Sequence, residues 1–272
     1  MESPYNYEKM DQPELLTFMF HPQAAEGTAA SEKDQLIDTP DGERLHLRYH
    51  LAEDHESANI LFFHGNGETV ADYEEIAANF NRENLSLIVV DYRGYGLSTG
   101  APTATNMMND AHLFLKAVEK RLAEMGRSGK ILAMGRSLGS APAIELAALY
   151  PEKIKGLLLD SAFAHAIPVL KNLGGNMDNS PLTEKDCFRN LDKIKMVENP
   201  VLIIHGQKDD IIDLDNGSLL HAECPARQKE IQIVPGAGHN GIFRIAGPMY
   251  YKVIKSFVDR MGQVKRKKRG IL

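Results

Sequence analysis

KILAMGRSLGSAPAIELAAL, residues 130–149, is the stretch of the chain that decides its fold. Its first five residues, 130–134, form a short apolar run of the kind that becomes a buried strand, and residues 141–149 have the composition of a helix. Between them lies GRSLG, residues 135–139, which matches the pattern G-x-S-x-G. A tight strand-to-helix turn leaves no room for side chains at the two glycines and lifts the serine hydroxyl above the sheet. The stretch therefore predicts Ser137 as a candidate nucleophile.

The rest of the chain repeats this alternation of short apolar runs and longer segments of helical period. Such alternation predicts βα units and a mainly parallel central sheet flanked by helices, which is the α/β class. One earlier segment alternates apolar and polar residues, as a half-exposed antiparallel strand does. The parallel strands are predicted at residues 59–63, 86–90, 130–134, 156–159, 201–204 and 231–234, the antiparallel strand at 45–51, and the helices near 71–81, 107–125, 138–149, 215–223 and 241–260.

Length and periodicity together predict one large domain with an insertion. Residues 1–33 show no strong period, so we expect an N-terminal arm that packs loosely, followed by the domain itself at residues 34–272. From about residue 161 to 196 the chain connects two strands through far more residues than a crossover helix needs. We interpret this interval as a small cap over the carboxyl ends of the strands. Four of its apolar residues recur at helical spacing and either pack on the body or line an acyl pocket: Phe163, Ile167, Leu170 and Leu173.

Composition and charge exclude several classes of protein. With 31 basic and 37 acidic residues the formal net charge is −6, which gives no global attraction to nucleic acid. The basic run at residues 264–269 is either a solvated terminus or a weak surface contact. The two cysteines, Cys187 and Cys224, lack the spacing of a disulfide framework or a metal site. Because no signal peptide and no run of 18 apolar residues is recognisable, we expect a cytoplasmic protein without an integral membrane segment.

A nucleophilic serine needs a base to accept its proton and a carboxylate to orient that base. His239 lies in a glycine-rich segment just after the last predicted strand, where the loop can lean over the sheet, and we predict that it is the base. The strand at 201–204 is followed by two adjacent carboxylates, Asp209 and Asp210. Neighbouring side chains cannot both point at one imidazole, and we choose Asp209 as the acid. Asp210, and Asp160 at the end of another strand, stay as alternatives.

An acyl-transfer site also needs two backbone N–H donors directed at the oxygen that becomes negatively charged. FHGNG, residues 63–67, follows a buried strand and supplies one candidate donor, the amide of Asn66. The residue after the nucleophile, Leu138, supplies the other. We expect His64 to organise the turn by hydrogen bonding rather than to act as the base. Because the candidate histidines and carboxylates are used in this arrangement, neither a metal ion nor an organic cofactor is expected.

Five segments in this order resemble those of the α/β-hydrolase superfamily. They are HGNG at 64–67, DYRGYGLS at 91–98, GRSLG at 135–139, HGQKD at 205–209 and GAGHN at 236–240. The resemblance covers most of the chain and is closest in character to monoglyceride lipases, serine aminopeptidases and protein-depalmitoylating thioesterases. It implies the α/β-hydrolase fold, with Ser137 as nucleophile, Asp209 as acid, His239 as base, and Asn66 and Leu138 as oxyanion donors. In that superfamily a segment like DYRGYGLS serves chiefly as scaffold.

These observations predict a serine hydrolase that cleaves a carboxylic ester or thioester of a small-molecule acyl substrate through an acyl-enzyme. An aminopeptidase or amidase with the same three residues is an alternative, because only the pocket distinguishes the two. A non-catalytic binding module of the same fold is a second alternative, since a fold does not prove a function. Acyl chain length, leaving group and oligomeric state do not follow from the sequence.

Overall fold

A computed structural model of the chain describes residues 3–25, 29–175, 177 and 180–261. The basic run at residues 264–269 lies outside the described residues. The strands are β1 Asp34–Asp38, β2 Arg44–His50, β3 Ala58–Phe63, β4 Leu85–Asp91, β5 Ile131–Arg136, β6 Ile154–Asp160, β7 Val201–Gly206 and β8 Lys229–Val234. In the described part of the chain they form one eight-stranded sheet with the order β1-β2-β4-β3-β5-β6-β7-β8.

Every strand predicted from the sequence is present in this sheet. β1 pairs with β2 and β2 with β4 in antiparallel orientation, and the five other neighbouring pairs are parallel. The prediction of a mainly parallel α/β sheet is therefore confirmed. β1 is an addition to the predicted strands. Its five residues are all partly or fully exposed, so no buried apolar run marks it in the sequence.

Helices cover both faces of the sheet. They are α1 Pro13–Met19, α2 Glu74–Arg82, α3 Ala104–Glu124, α4 Ser140–Leu149, α5 Ala166–Asn172, α6 Asn190–Ile194, α7 Leu214–Glu223, α8 Ile242–Ala246 and α9 Pro248–Arg260. α3 and α4 share one core with strand residues such as Leu61 and Ala133, whereas α2 and α9 share the other core with Phe62 and Met134. Successive strand residues thus enter opposite cores, which explains the almost continuous apolar runs of β3, β4 and β5.

The C-terminal helical segment is divided at one residue. Gly247 has a φ of 51°, and Pro248, which follows it, begins α9. Proline has no backbone N–H to continue the hydrogen-bond ladder of α8, and glycine adopts a positive φ without steric cost. The prediction of one helix over residues 241–260 is therefore wrong at this point.

The N-terminal residues pack tightly against the body. Tyr7 and Met10 are almost completely buried, and α1 buries Met19. The Nζ atom of Lys193 lies 2.7 Å from the Tyr7 hydroxyl and 2.7 Å from a carboxylate oxygen of Glu145, both buried. The expectation of a loosely packed arm is therefore wrong for the part of the arm between Tyr7 and Phe20. These apolar side chains come from short, irregular elements and are buried by contacts distant in sequence, so they leave no periodic signal.

The interval between β6 and β7 carries two short helices, α5 and α6, rather than one crossover helix. The Glu184 carboxylate accepts the backbone N–H groups of Ala166 and Ile167 at 2.9 Å each, which satisfies the first turn of α5. The side-chain amide of Asn190 donates to the carbonyl of Phe163 at 2.9 Å. α5 also packs beside α1. The expected cap interval and the N-terminal residues are thus in contact with each other.

Candidate active site

Ser137 sits on a strained turn between β5 and α4. Its φ is 51°, an uncommon value for a residue other than glycine. A Cβ on Gly135 would lie 2.1 Å from the carbonyl oxygen of Gly139, and a Cβ on Gly139 would lie 2.1 Å from that of Phe63. Neither position can therefore carry a side chain. The close approach of β3, β5 and α4 at these glycines is what holds the turn in its strained form.

Three of the residues selected from the sequence meet at this turn. The Ser137 Oγ atom lies 3.0 Å from Nε2 of His239. The Nδ1 atom of the same imidazole lies 2.9 and 3.0 Å from the two carboxylate oxygens of Asp209. His239 and Asp209 are both buried. A hydroxyl, an imidazole and a carboxylate are thus joined in one continuous hydrogen-bonded row.

The three candidate carboxylates differ in their surroundings. Asp209 accepts the backbone N–H groups of Ile211 and Ile212, at 3.1 and 2.9 Å. Burial opposes its ionisation, but the hydrogen bond and charge of His239 outweigh that effect and lower the pKa of the carboxyl. Asp210 is exposed. Asp160 is fully buried and accepts the Tyr250 hydroxyl at 2.7 Å, and burial raises its pKa. Among the described carboxylates, Asp209 alone is hydrogen-bonded to His239.

The loop after β3 lies beside Ser137. Asn66 and Leu138, whose amides are the predicted oxyanion donors, line the same cavity as the serine. His64 is fully buried, and its Nδ1 lies 2.8 Å from the Gly65 carbonyl. Its Nε2 lies 3.5 Å from Asp91. His64 therefore stabilises the loop from behind, as expected, and has no hydrogen bond to Ser137 among the contacts of the described residues.

Ser137 opens into a cavity of about 210 Å³. Apart from His21, its polar lining residues lie at the ends of β3, β5 and β8 or in the loops that follow them. Apart from Leu138, its apolar ones come from the N-terminal residues, the interval between β6 and β7, and the loop after β7. Phe163, Leu170 and Leu173 line it, whereas Ile167 packs on the core instead. The apolar lining residues are Met19, Leu138, Phe163, Ala166, Val169, Leu170, Leu173, Phe188, Ile211 and Ile212, and the polar ones are His21, Asn66, Arg136, Ser137, His239 and Asn240.

The sequence patterns did not indicate two parts of this site. The first is the segment of residues 18–25, here called the strap, which brings Met19 and His21 to the cavity. It carries no sequence period that could have indicated this place. The second is Arg136, the variable residue before the serine in GRSLG, whose buried guanidinium borders the cavity. A charged residue directly before a nucleophile was the available signal.

Among the residues that the structure describes, no group of three or more histidines, cysteines or acidic residues is arranged to hold a metal ion. In the same residues, no helix combines the length and the hydropathy needed to cross a membrane.

The chain is similar to several known proteins. The family described as serine aminopeptidase, S33, matches residues 54–175. The human α/β hydrolase domain-containing protein 17B is 31% identical over 227 residues, which cover 82% of this chain and 73% of the human protein. The chain spans about three fifths of the length of the related 17C proteins.

Solved structures show the same architecture. An esterase of Pyrococcus furiosus has a TM-score of 0.71 at 16% identity, covering 89% of this chain and 99% of the esterase. A soluble variant of monoglyceride lipase from Saccharomyces cerevisiae, in complex with a substrate analogue, has a TM-score of 0.67 at 19% identity, covering 86% and 96%. These two likenesses concern the fold alone. The identity to the human protein shows that this chain is a hydrolase of the α/β-hydrolase superfamily, in the family of the α/β hydrolase domain-containing 17 proteins.

Proposed function

We propose that this chain is a serine hydrolase that cleaves a carboxylic ester or thioester through an acyl-enzyme. The observation that carries the proposal is the hydrogen-bonded row of Ser137, His239 and Asp209, with 3.0 Å between the serine Oγ and the imidazole Nε2. That distance is within reach of direct proton transfer. The serine also opens into a largely apolar cavity, where an acyl chain can be buried.

Each residue has a role in the proposed reaction. Ser137 attacks the acyl carbonyl carbon as His239 removes its proton, and Asp209 orients the imidazole and stabilises its cation. The amides of Asn66 and Leu138 donate to the oxygen that becomes negatively charged. His239 then returns the proton to the departing alcohol or thiol. A water molecule, deprotonated by the same histidine, attacks the acyl-enzyme, and the histidine passes that proton to the Ser137 Oγ as the carboxylic acid is released.

The lining of the cavity favours an ester or thioester over a peptide with a free amino terminus. An aminopeptidase has to bind the positive charge of its substrate's α-amine, for which a carboxylate in the pocket is the natural partner. No aspartate or glutamate is among the described residues that line the cavity. Asp209 is engaged by His239, and Glu68 by Arg136. The S33 aminopeptidase match therefore supports the shared machinery of this proposal more than the peptide substrate.

The test uses a fluorophosphonate probe and a panel of substrates. The wild-type chain is expected to bind the probe covalently at Ser137 and to hydrolyse p-nitrophenyl esters and acyl thioesters, whereas Ser137→Ala does neither. Ser140→Ala, at a neighbouring serine of α4, is the matched control and keeps both activities. A folded wild-type chain that neither binds the probe nor turns over any substrate would be a binding module instead. Faster turnover of aminoacyl amides than of esters would favour the aminopeptidase.

A cytoplasmic location is part of the proposal. Cys187 and Cys224 are both buried free thiols. Unpaired cysteines are ordinary in a reducing compartment, where disulfides are rare. The net charge of −6 likewise supports a small-molecule substrate rather than a nucleic acid.

A further inference from the structure

Arg136 connects three segments of the site. It is the residue directly before Ser137, and it is only 5% exposed. One end of its guanidinium, Nη1, pairs with the carboxylate of Glu68. The other end, Nη2, donates to the carbonyl of His239 at 3.2 Å and to Oδ1 of Asn240 at 2.9 Å. The turn that carries the serine is thereby bound to the loop that carries the histidine.

Glu68 extends the connection to the loop after β3. Its carboxylate accepts the backbone N–H of Gly65 at 2.7 Å and the hydroxyl of Tyr73 at 2.6 Å. A Cβ on Gly65 would lie 2.7 Å from Nη1 of Arg136. The ion pair thus fills the space beside this loop, directly before Asn66. One pair of side chains therefore spans the serine turn, the histidine loop and the loop of the proposed oxyanion donor.

Both partners are charged in a buried place. Burial opposes the charge of Arg136, but the neighbouring carboxylate of Glu68 outweighs it and raises the pKa of the guanidinium. Burial also opposes the ionisation of Glu68, yet Arg136 and the Tyr73 hydroxyl lower the pKa of its carboxyl. Replacing a buried ion pair by well-packed apolar residues is often neutral for stability. Stability alone therefore does not account for this pair, whereas the directed fork of an arginine accounts for the fixed geometry.

We propose that Arg136 and Glu68 form a positioning pair, which sets the His239 loop and the Asn66 loop at the right distance from Ser137. The proposal rests on the proposed hydrolase function and assigns a role to two residues outside the Ser137, His239 and Asp209 row. Neither residue exchanges a proton with the substrate. Both act indirectly, because they position the His239 loop and the Asn66 loop. Their loss lowers kcat, because the reacting groups are misplaced, and leaves KM nearly unchanged, because the apolar walls of the cavity stay in place.

The decisive variant is Arg136→Met with Glu68→Gln. Replacing both partners leaves neither of them as an unpaired buried charge, and the new glutamine keeps a side-chain oxygen for the amide of Gly65 and the hydroxyl of Tyr73. Fluorophosphonate titration counts the competent sites, so that unfolded protein does not enter kcat. We expect kcat per titrated site to fall about ten- to hundred-fold, with KM within about threefold of wild type. Arg136→Lys restores only part of kcat, since one ammonium cannot hold Glu68, His239 and Asn240 together.

The matched control is another buried ion pair at the same end of the sheet. Arg93 donates to Asp110 at 2.8 Å, both are buried, and neither lines the cavity. Arg93→Met with Asp110→Asn is expected to change thermal stability and to leave kcat per titrated site as in wild type. An unchanged kcat in the Arg136 and Glu68 double variant, or an equal loss in the control, would overturn the positioning role while wild-type hydrolysis stands. An inactive wild-type chain would overturn both proposals together.

Discussion

The two sides of the cavity are built by different forces. The loops at the carboxyl ends of β3, β5, β7 and β8 carry Asn66, Ser137, Asp209 and His239, and hydrogen bonds and charges hold these side chains in place. The other walls come mainly from the strap and the interval between β6 and β7, and they consist largely of apolar side chains that pack without directional bonds. The difference teaches that the proposed chemistry depends on exact angles, whereas the shape of the acyl pocket depends on volume.

The two sides meet at Asn66. Its side-chain oxygen accepts the backbone N–H of His21 at 2.7 Å and the hydroxyl of Tyr95 at 2.8 Å. The Tyr95 hydroxyl also accepts the N–H of His21 at 2.8 Å, and Gln23 donates to the carbonyl of Gly67 at 2.8 Å. Tyr95 belongs to the segment DYRGYGLS, so this scaffold segment attaches the strap to the proposed oxyanion loop.

The largest effect is expected on the polar side, from Asp209→Asn. The amide cannot stabilise the imidazolium of His239 and favours the wrong tautomer, so kcat should fall about 10⁴-fold. Asp210→Asn is the matched control, because Asp210 is the exposed neighbour and should retain full activity. Steady-state ester hydrolysis measures both. A larger loss of kcat in the Asp210 variant would mean that Asp210 is the acid instead.

The buried carboxylate of Asp91 lies behind the polar side of the cavity, and its contribution to stability should decrease at low pH. Burial opposes the ionisation of Asp91, but its hydrogen bond to His46 and the nearby His64 outweigh that effect and lower its pKa to about 2. A lowered pKa means that the folded state binds the proton less tightly than the unfolded state, so this stabilisation is complete above about pH 4 and is lost as pH falls towards 2. The difference in unfolding free energy between wild type and Asp91→Asn should shrink by about 2 kcal/mol from pH 5 to 2. Urea denaturation measures it, and a difference that does not change with pH would contradict it.

The apolar side should respond to volume. Leu173 lines the cavity and is 38% exposed, so a larger side chain can enter without disturbing the core. Leu173→Trp should lower kcat/KM about tenfold for a long-chain acyl ester and leave an acetyl ester unaffected. Leu36→Trp is the control, because Leu36 is equally exposed but does not line the cavity. Equal losses for both chain lengths would mean that this wall does not select the acyl group.

The smallest effect is expected where the two sides meet. Tyr95→Phe removes the hydroxyl that joins Asn66 to the strap and leaves the ring in place. Loss of this hydrogen bond should lower kcat/KM about fivefold, which corresponds to about 1 kcal/mol. Tyr49→Phe is the control, since the Tyr49 hydroxyl donates to Gln35 at 2.7 Å away from the cavity. An unchanged rate in the Tyr95 variant would mean that the strap forms a wall and does not orient the loop.

Local patterns in the sequence determined the parallel strands, the order of the proposed site residues and the turn at Ser137. A buried strand requires an apolar run, and a turn in which a Cβ would lie 2.1 Å from a backbone oxygen requires glycine. Both features therefore depend on residues that are neighbours in the sequence. The glycine and proline at 247 and 248 carried the same kind of local signal for the break before α9.

Only the tertiary structure decided the rest of the site. Arg136 and Glu68 are 68 residues apart in the chain, and Tyr7 and Lys193 are 186 apart. No local pattern indicates that such residues will meet, because the contact exists only once the sheet brings their segments together. The apolar walls follow the same rule: Met19 and Phe163 each look like any other core residue in the sequence, and packing alone makes them face one cavity.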